Sequence, residues 1–147
     1  MSEVTALNQT PVASREHFDV LIVGAGISGI GAAHHLAEKC PGKRYAILET
    51  KDSFGGTWRQ HTYPGIRSDS DLYTFGYGFK PWTGQPIASA DKILNYMAEA
   101  MTEDDIEQHI RYQHQVLRAS WSSAEQLWFI EAHDKEDGET RLFRCNF

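Results

Sequence analysis

Behind Phe18 and Asp19, the chain runs through four consecutive apolar, mostly β-branched residues, Val20 to Val23, and then meets glycine at Gly24. A run apolar on both faces predicts a strand in the middle of a parallel sheet rather than one with a wet side. From Ile27 to Lys39 the period changes. Ile27, Ile30, Ala33, His34 and Ala37 recur at helical spacing, and Cys40-Pro41-Gly42 supplies the stop. Tyr45 to Glu49 is a second short buried strand. Two such strands joined by a helix make a right-handed βαβ unit with parallel strands.

Thr50 to Ser89 shows no sustained period and carries Gly55, Gly56, Gly65, Gly76, Gly78 and Gly84 with three prolines. Connections of that length inside a compact domain are usually functional. Asp91 is the expected N-cap of a helix through Met101, with Ile93, Leu94, Met97 and Met101 on one face. Ile110 to Trp121, Gln126 to His133 and Thr140 to Phe147 read as strands, parted by Ser122-Ser123-Ala124 and by the charged turn from Asp134 to Glu139. The expected fold is α/β: a Rossmann-like parallel βαβ sheet plus a small antiparallel β-meander. Residues 1–17 read as a flexible polar leader, and residues 18–147 as one domain.

Composition narrows the function. The 147 residues are 41% apolar, enough for one core. A net charge of −6 lacks the basic footprint that nucleic acid requires. Cys40 and Cys145 form no CxxC pair, which argues against a disulfide framework or zinc site. The N-terminus shows no signal pattern, and the longest apolar stretch is too short and too glycine-rich to span a bilayer, so a cytoplasmic protein is expected. No metal site is expected either. Asp69 and Asp71 lack the further ligands of a calcium loop. His34 with His35, and His109 with His114, lack ligand spacing. Phe75-Gly76-Tyr77-Gly78-Phe79 reads as aromatic packing over the long loop.

The chemistry is concentrated in Gly24-Ala25-Gly26-Ile27-Ser28-Gly29, between strand and helix, with Glu49 ending the next strand twenty residues after Gly29. Gly24 permits the tight turn, Gly26 lets a pyrophosphate approach the backbone, and Gly29 lets helix and strand pack closely. The helix N-terminus offers N–H groups to phosphate, and Glu49 can accept hydrogen bonds from an adenosine ribose. An acid there favours a free 2′-hydroxyl, so FAD or NAD fits this site and NADP does not. The fingerprint leaves FAD and NAD both open. Gly55-Gly56-Thr57-Trp58 and Tyr63-Pro64-Gly65-Ile66-Arg67-Ser68-Asp69 follow, a flexible backbone with a flat aromatic face and a fixed charge, readable as a second part of the site or as a surface loop.

Together these three motifs, the last continuing through Ser70-Asp71-Leu72-Tyr73-Thr74, resemble the N-terminal FAD domain of class B flavoprotein monooxygenases. More narrowly they resemble the Baeyer–Villiger monooxygenases, in the ethionamide-activating branch. The resemblance implies FAD held by Gly24, Gly26, Ser28 and Gly29 at the pyrophosphate and by Glu49 at the ribose. It places Gly56, Thr57, Trp58 and Asp69 toward the flavin and the backbone of Val116 at the adenine. Arg67, Ser68 and Asp69 would border the nicotinamide side, with Asp69 positioning a catalytic arginine from a later domain. It implies that NADPH and O₂ are used to oxygenate ketones, or sulfur and nitrogen centres, through a C4a-peroxyflavin. The family's second glycine fingerprint for NADPH and its catalytic arginine do not occur here. The resemblance therefore implies a protein about three times longer, since each further domain needs its own residues, and an inactive chain on its own. A non-catalytic FAD- or dinucleotide-binding module is the alternative.

Overall fold

The computed structural model describes residues 15–147; most of the predicted leader, residues 1–14, lies outside the described residues. The predicted first strand is two. β1 (Glu16–Phe18) and β2 (Val20–Val23) belong to different sheets, and Asp19 is the hinge between them. β1 takes in Glu16 and His17, which the sequence assigns to the leader, because a distant partner, β7 (Thr140–Cys145), pairs with it in parallel. The same register carries on past the hinge. Phe147 N–H donates to the Asp19 carbonyl at 3.0 Å, and Leu21 N–H donates to the Phe147 carbonyl at 2.9 Å, so the two sheets meet edge to edge.

The first sheet has the order β1-β7-β6-β5, built from β5 (His114–Ser122), β6 (Leu127–Asp134) and β7 as an antiparallel meander. The second has the order β2-β3-β4, all parallel, with β3 (Tyr45–Leu48) in the centre and β4 (Ile110–Arg111) beyond it. β3, not β2, is thus the strand buried on both faces. Tyr45 and Ile47 enter one core with Ile30, Ile93, Met97 and Ile106, while Ala46 and Leu48 enter another with Phe18, Ile130 and Phe143. β2 lies at an edge of the described sheet, and its Val23 is 63% exposed, which corrects the central position expected from its composition. Apolar composition reports burial capacity and not place in the strand order.

α1 (Ile27–Lys39) links β2 to β3 as expected. Thr50 to Ser89 is not structureless: α2 (Thr57–Gln60) and α3 (Leu72–Phe75) are single turns within it, and Arg67 bridges Ser89 in antiparallel fashion. Turns of four residues carry too few periodic positions to register as helix in a sequence. α4 (Ala90–Glu103) begins earlier than predicted, with Ser89 rather than Asp91 at the N-cap. Both residue types suit a cap, and the Arg67–Ser89 bridge decides between them by holding Ser89 extended.

At the junction of the sheets, Arg111 grips Glu16 with two bonds of 2.7 Å, Arg44 adds a third of 2.5 Å, and both guanidinium groups lie over the Phe18 ring. The Arg111 hydrogen bonds hold the Glu16 carboxyl below its usual range. A carboxylate depressed in the folded state adds stability above the ordinary carboxylate range and loses it as acid titrates it. We expect Glu16→Gln to flatten the loss of stability below about pH 4. At neutral pH the variant should cost about 1 kcal/mol or less, since the group is partly screened by solvent. Parallel acid melts of the two proteins check both.

Candidate functional site

β2 ends at Gly24, whose φ of +97° is open to glycine and strained for other residues, and this turns the chain into α1. Gly24 N–H is tied to the Leu48 carbonyl at 2.8 Å, so the turn is anchored on β3. The next constraint is contact. A Cβ on Gly29 would stand 2.0 Å from the Gly24 carbonyl oxygen, so helix and strand pack at this distance only with hydrogen there.

The second glycine motif comes to the same place. Gly55 N–H donates to the Ala25 carbonyl at 2.9 Å, and a Cβ on Gly56, at φ +52°, would lie 3.1 Å from Gly26 Cα. Two loops some thirty residues apart in sequence are thereby pressed backbone to backbone. Between them lies a cavity of about 460 Å³ lined by Gly24, Gly26, Ser28, Gly29, Gly56, Thr57 and Trp58, with Phe75 at its wall. Trp58 and Phe75 meet edge to face at 6.3 Å. A groove of about 390 Å³ on the meander, between Arg118, Trp121, Phe129 and Leu142, has aromatic walls but no helix N-terminus and no glycine backbone to receive phosphate.

The cavity suits an anion. α1 has no acidic residue in its first turn, and among the described residues no side chain caps its N-terminus, so its first N–H groups and its positive dipole end are open to a ligand. Tyr77 steadies this end of the helix: its hydroxyl donates to the Ile27 carbonyl at 2.6 Å, and its ring stacks on Phe79 and Tyr96. Burial pushes the Tyr77 phenol well above its ordinary pKa, which keeps the donor protonated. Gly31 makes room for that ring, since a Cβ there would stand 3.0 Å from it.

Glu49 is buried, and its carboxylate faces the glycine loop. One oxygen accepts from Ala25 N–H at 2.7 Å and the other from Lys51 N–H at 2.9 Å. Sequence reasoning assigns Glu49 to a ribose and misses what the structure shows, that Glu49 holds the glycine loop in shape. Each oxygen keeps a further lone pair for a ligand. His114 N–H donates to the Glu49 carbonyl at 2.9 Å, which brings the start of β5, two residues before Val116, to Glu49. Val116 sits at a bulge in the β5–β6 ladder.

Arg67, Ser68 and Asp69 stand apart from the lining of the cavity. Arg67 Nε donates to the Gly65 carbonyl, Ser68 is buried and exchanges two hydrogen bonds with the Ala88 backbone, and Asp69 is exposed beside Ser70. The Ser68–Ala88 pair holds the loop to the segment before α4 and leaves its neighbours facing solvent.

Over residues 22–97 the sequence matches the family described as NAD(P)-binding Rossmann-like domain. The chain belongs to that family. This Rossmann-like domain is 51% identical over 133 residues to FAD-containing monooxygenase EthA of Mycobacterium tuberculosis, a match covering 90% of this chain and 27% of that protein. It is 48% identical to a probable FAD-binding monooxygenase, AlmA, of an Acinetobacter species, over 88% of this chain and 26% of that one. The chain thus spans about a quarter of the length of these curated relatives. Among solved structures, it is similar to a steroid monooxygenase bound to NADP, with 26% identity and a TM-score of 0.77 over 89% of this chain and 25% of that one. It is also similar to OTEMO in complex with FAD and NADP, with 29% identity and a TM-score of 0.76 over 88% of this chain and 24% of that one. The Rossmann-like domain therefore resembles about a quarter of these monooxygenases in sequence and in fold. No helix among the described residues is long and apolar enough to cross a membrane.

Proposed function

We propose that this domain is the FAD-binding portion of an NADPH- and O₂-dependent flavin monooxygenase of Baeyer–Villiger type, a cytoplasmic enzyme acting on a small organic molecule. The observation that carries the reading is the joining of both glycine motifs around one cavity at an uncapped helix N-terminus. The relatives named for FAD support FAD over NAD.

The residues present fit the cofactor. Gly24, Gly26, Ser28 and Gly29 offer backbone and a hydroxyl to the pyrophosphate, and the helix terminus supplies partial positive charge. Glu49 accepts from the adenosine ribose while holding Ala25 in place, and the Val116 backbone meets the adenine. Gly56, Thr57 and Trp58 continue the cradle toward the isoalloxazine, with Trp58 excluding water from one side. When bound, FAD supplies the redox chemistry with NADPH and O₂, and the protein supplies orientation and electrostatics. Arg67, Ser68 and Asp69 form the border on the nicotinamide side. There Asp69, exposed beside Ser70, positions an arginine from the remainder of the protein by charge. Exposed Tyr63, Tyr73 and Phe75 around this border suit a surface that further protein covers.

Titration of FAD into the protein carrying these residues, followed by flavin fluorescence, tests the reading. We expect saturable binding by the parent and a loss of about tenfold or more on Glu49→Arg, from losing charge-assisted hydrogen bonds to the ribose. Unaltered affinity in that variant would remove Glu49 from the site. No FAD binding by the folded parent would overturn the flavin assignment.

A further inference from the structure

One donor cluster on α1 lies outside the dinucleotide cavity. His34, His35 and Glu38 stand in the last turns of the helix, about 12–18 Å along its axis from Gly26. One nitrogen from each imidazole and one Glu38 carboxylate oxygen all lie within 4.8 Å of one another. The spacing explains why: 34 to 38 and 35 to 38 are helical neighbours at i,i+4 and i,i+3. His34 and His35 are adjacent in sequence, and Glu38 is the third donor that the helix brings to them.

His34 is held in a manner that an ordinary surface histidine is not. Its Nδ1 lies 2.5 Å from Asp104 Oδ2, at the C-cap of α4, and its ring stacks on Phe79 at 3.4 Å between centroids and 11° between planes. In the neutral ring, a carboxylate at Nδ1 takes the proton there and leaves the lone pair on Nε2. That is the arrangement by which carboxylates orient metal-binding histidines. Nε2 is buried and has no hydrogen-bond partner among the described residues, so its lone pair is unmatched there. His35 and Glu38 beside it are exposed, with His35 Nδ1 3.7 Å from Glu38 Oε2. The C-terminal end of α1 adds the negative pole of the helix dipole, and the chain's net charge of −6 also favours a cation.

We propose that His34, His35 and Glu38 bind one divalent transition-metal ion, with Asp104 as the residue that positions His34. Two imidazoles and a carboxylate suit Zn²⁺ and its neighbours rather than Ca²⁺ or Mg²⁺, which prefer oxygen alone. Donors at about 2.0–2.2 Å from zinc stand closer to one another than 4.8 Å. The site closes by rotation of His35 and Glu38 over a fixed His34, and water takes the fourth position. Through Asp104 the ion stiffens the contact between α1 and α4. None of this depends on the dinucleotide assignment.

The test is calorimetric titration of tag-free, chelator-treated protein with ZnCl₂ near neutral pH, alongside FAD titration of the same samples. One saturable ion is expected, with affinity weakened at least tenfold in His35→Ala and in Glu38→Ala and by about 10–100-fold in Asp104→Asn. FAD affinity should be unchanged in the first two. His35 and Glu38 are exposed, so these variants keep the test valid even if His34→Ala fails to fold. Absence of saturable binding up to about 0.1 mM Zn²⁺ overturns the proposal. Equal binding by the parent, His35→Ala and Glu38→Ala overturns it as well, since the ion then sits elsewhere.

Discussion

Gly26→Val should lose FAD while keeping its fold. Gly26 has φ −83° and ψ −175°, extended backbone open to any residue, and an added Cβ meets only Gly56 Cα at 3.8 Å, an ordinary contact. Among the described residues, no contact of a Cβ therefore requires glycine at this position. On the proposed reading the requirement comes from the ligand: a valine side chain at the N-cap of α1 would stand in the cradle where the pyrophosphate approaches the backbone. Losing one or two charge-assisted hydrogen bonds of about 1.5–3 kcal/mol each predicts at least about tenfold weaker binding. The melting temperature of the apo protein should move by no more than about 4 °C, the equivalent of a weakened cap. Flavin fluorescence and a thermal melt on one sample measure both. FAD affinity equal to the parent's would show that the cofactor does not approach Gly26.

Gly29→Ala should do the opposite and act on the fold first. Its Cβ would stand 2.0 Å from the Gly24 oxygen and 3.1 Å from the Gly24 carbonyl carbon, both backbone atoms. Gly24 cannot retreat, because its N–H is bonded to the Leu48 carbonyl in the central strand. Relief requires α1 to lift from β2, opening the core around Ile30 and Ala33. Overpacking against backbone predicts about 3 kcal/mol or more of destabilisation, a fall in melting temperature of about 10 °C. Denaturant unfolding checks it, and a loss under about 1 kcal/mol would mean the helix and strand have slack that the contact distances deny. The contrast between these two variants would separate a position kept for the ligand from one kept for packing.

Much of the architecture was legible from local signals. The βαβ unit was readable because a doubly apolar strand, a tight turn and a helical period follow one another within thirty residues, and each is set by nearest neighbours. The meander was readable because its turns carry their own Ser-rich and Gly-containing punctuation. The hinge at Asp19 was not readable, since Glu16 and His17 are polar and carry no strand period of their own. Only the distant partner β7 makes them a strand. Ser89 displaced Asp91 at the α4 cap for a related reason: the deciding contact comes from Arg67, twenty-two residues earlier.

For the site, the sequence by itself determined the parts: a glycine turn with the freedom to reverse at Gly24, a helix beginning without a competing acid, a buried carboxylate at Glu49, and a second pair of glycines. These are properties of residue type and short-range order, and they persist in any fold that keeps the strand-turn-helix unit. Tertiary structure decided which parts meet. The pressing of Gly56 onto Gly26, the Glu49 bond to Ala25, the Tyr77 prop under α1 and the Asp104 partner of His34 all join residues 24 to 70 positions apart. Contacts at that separation follow from how helices and loops pack on the sheet, where many side chains act at once. No window of sequence short enough to show a period contains both partners.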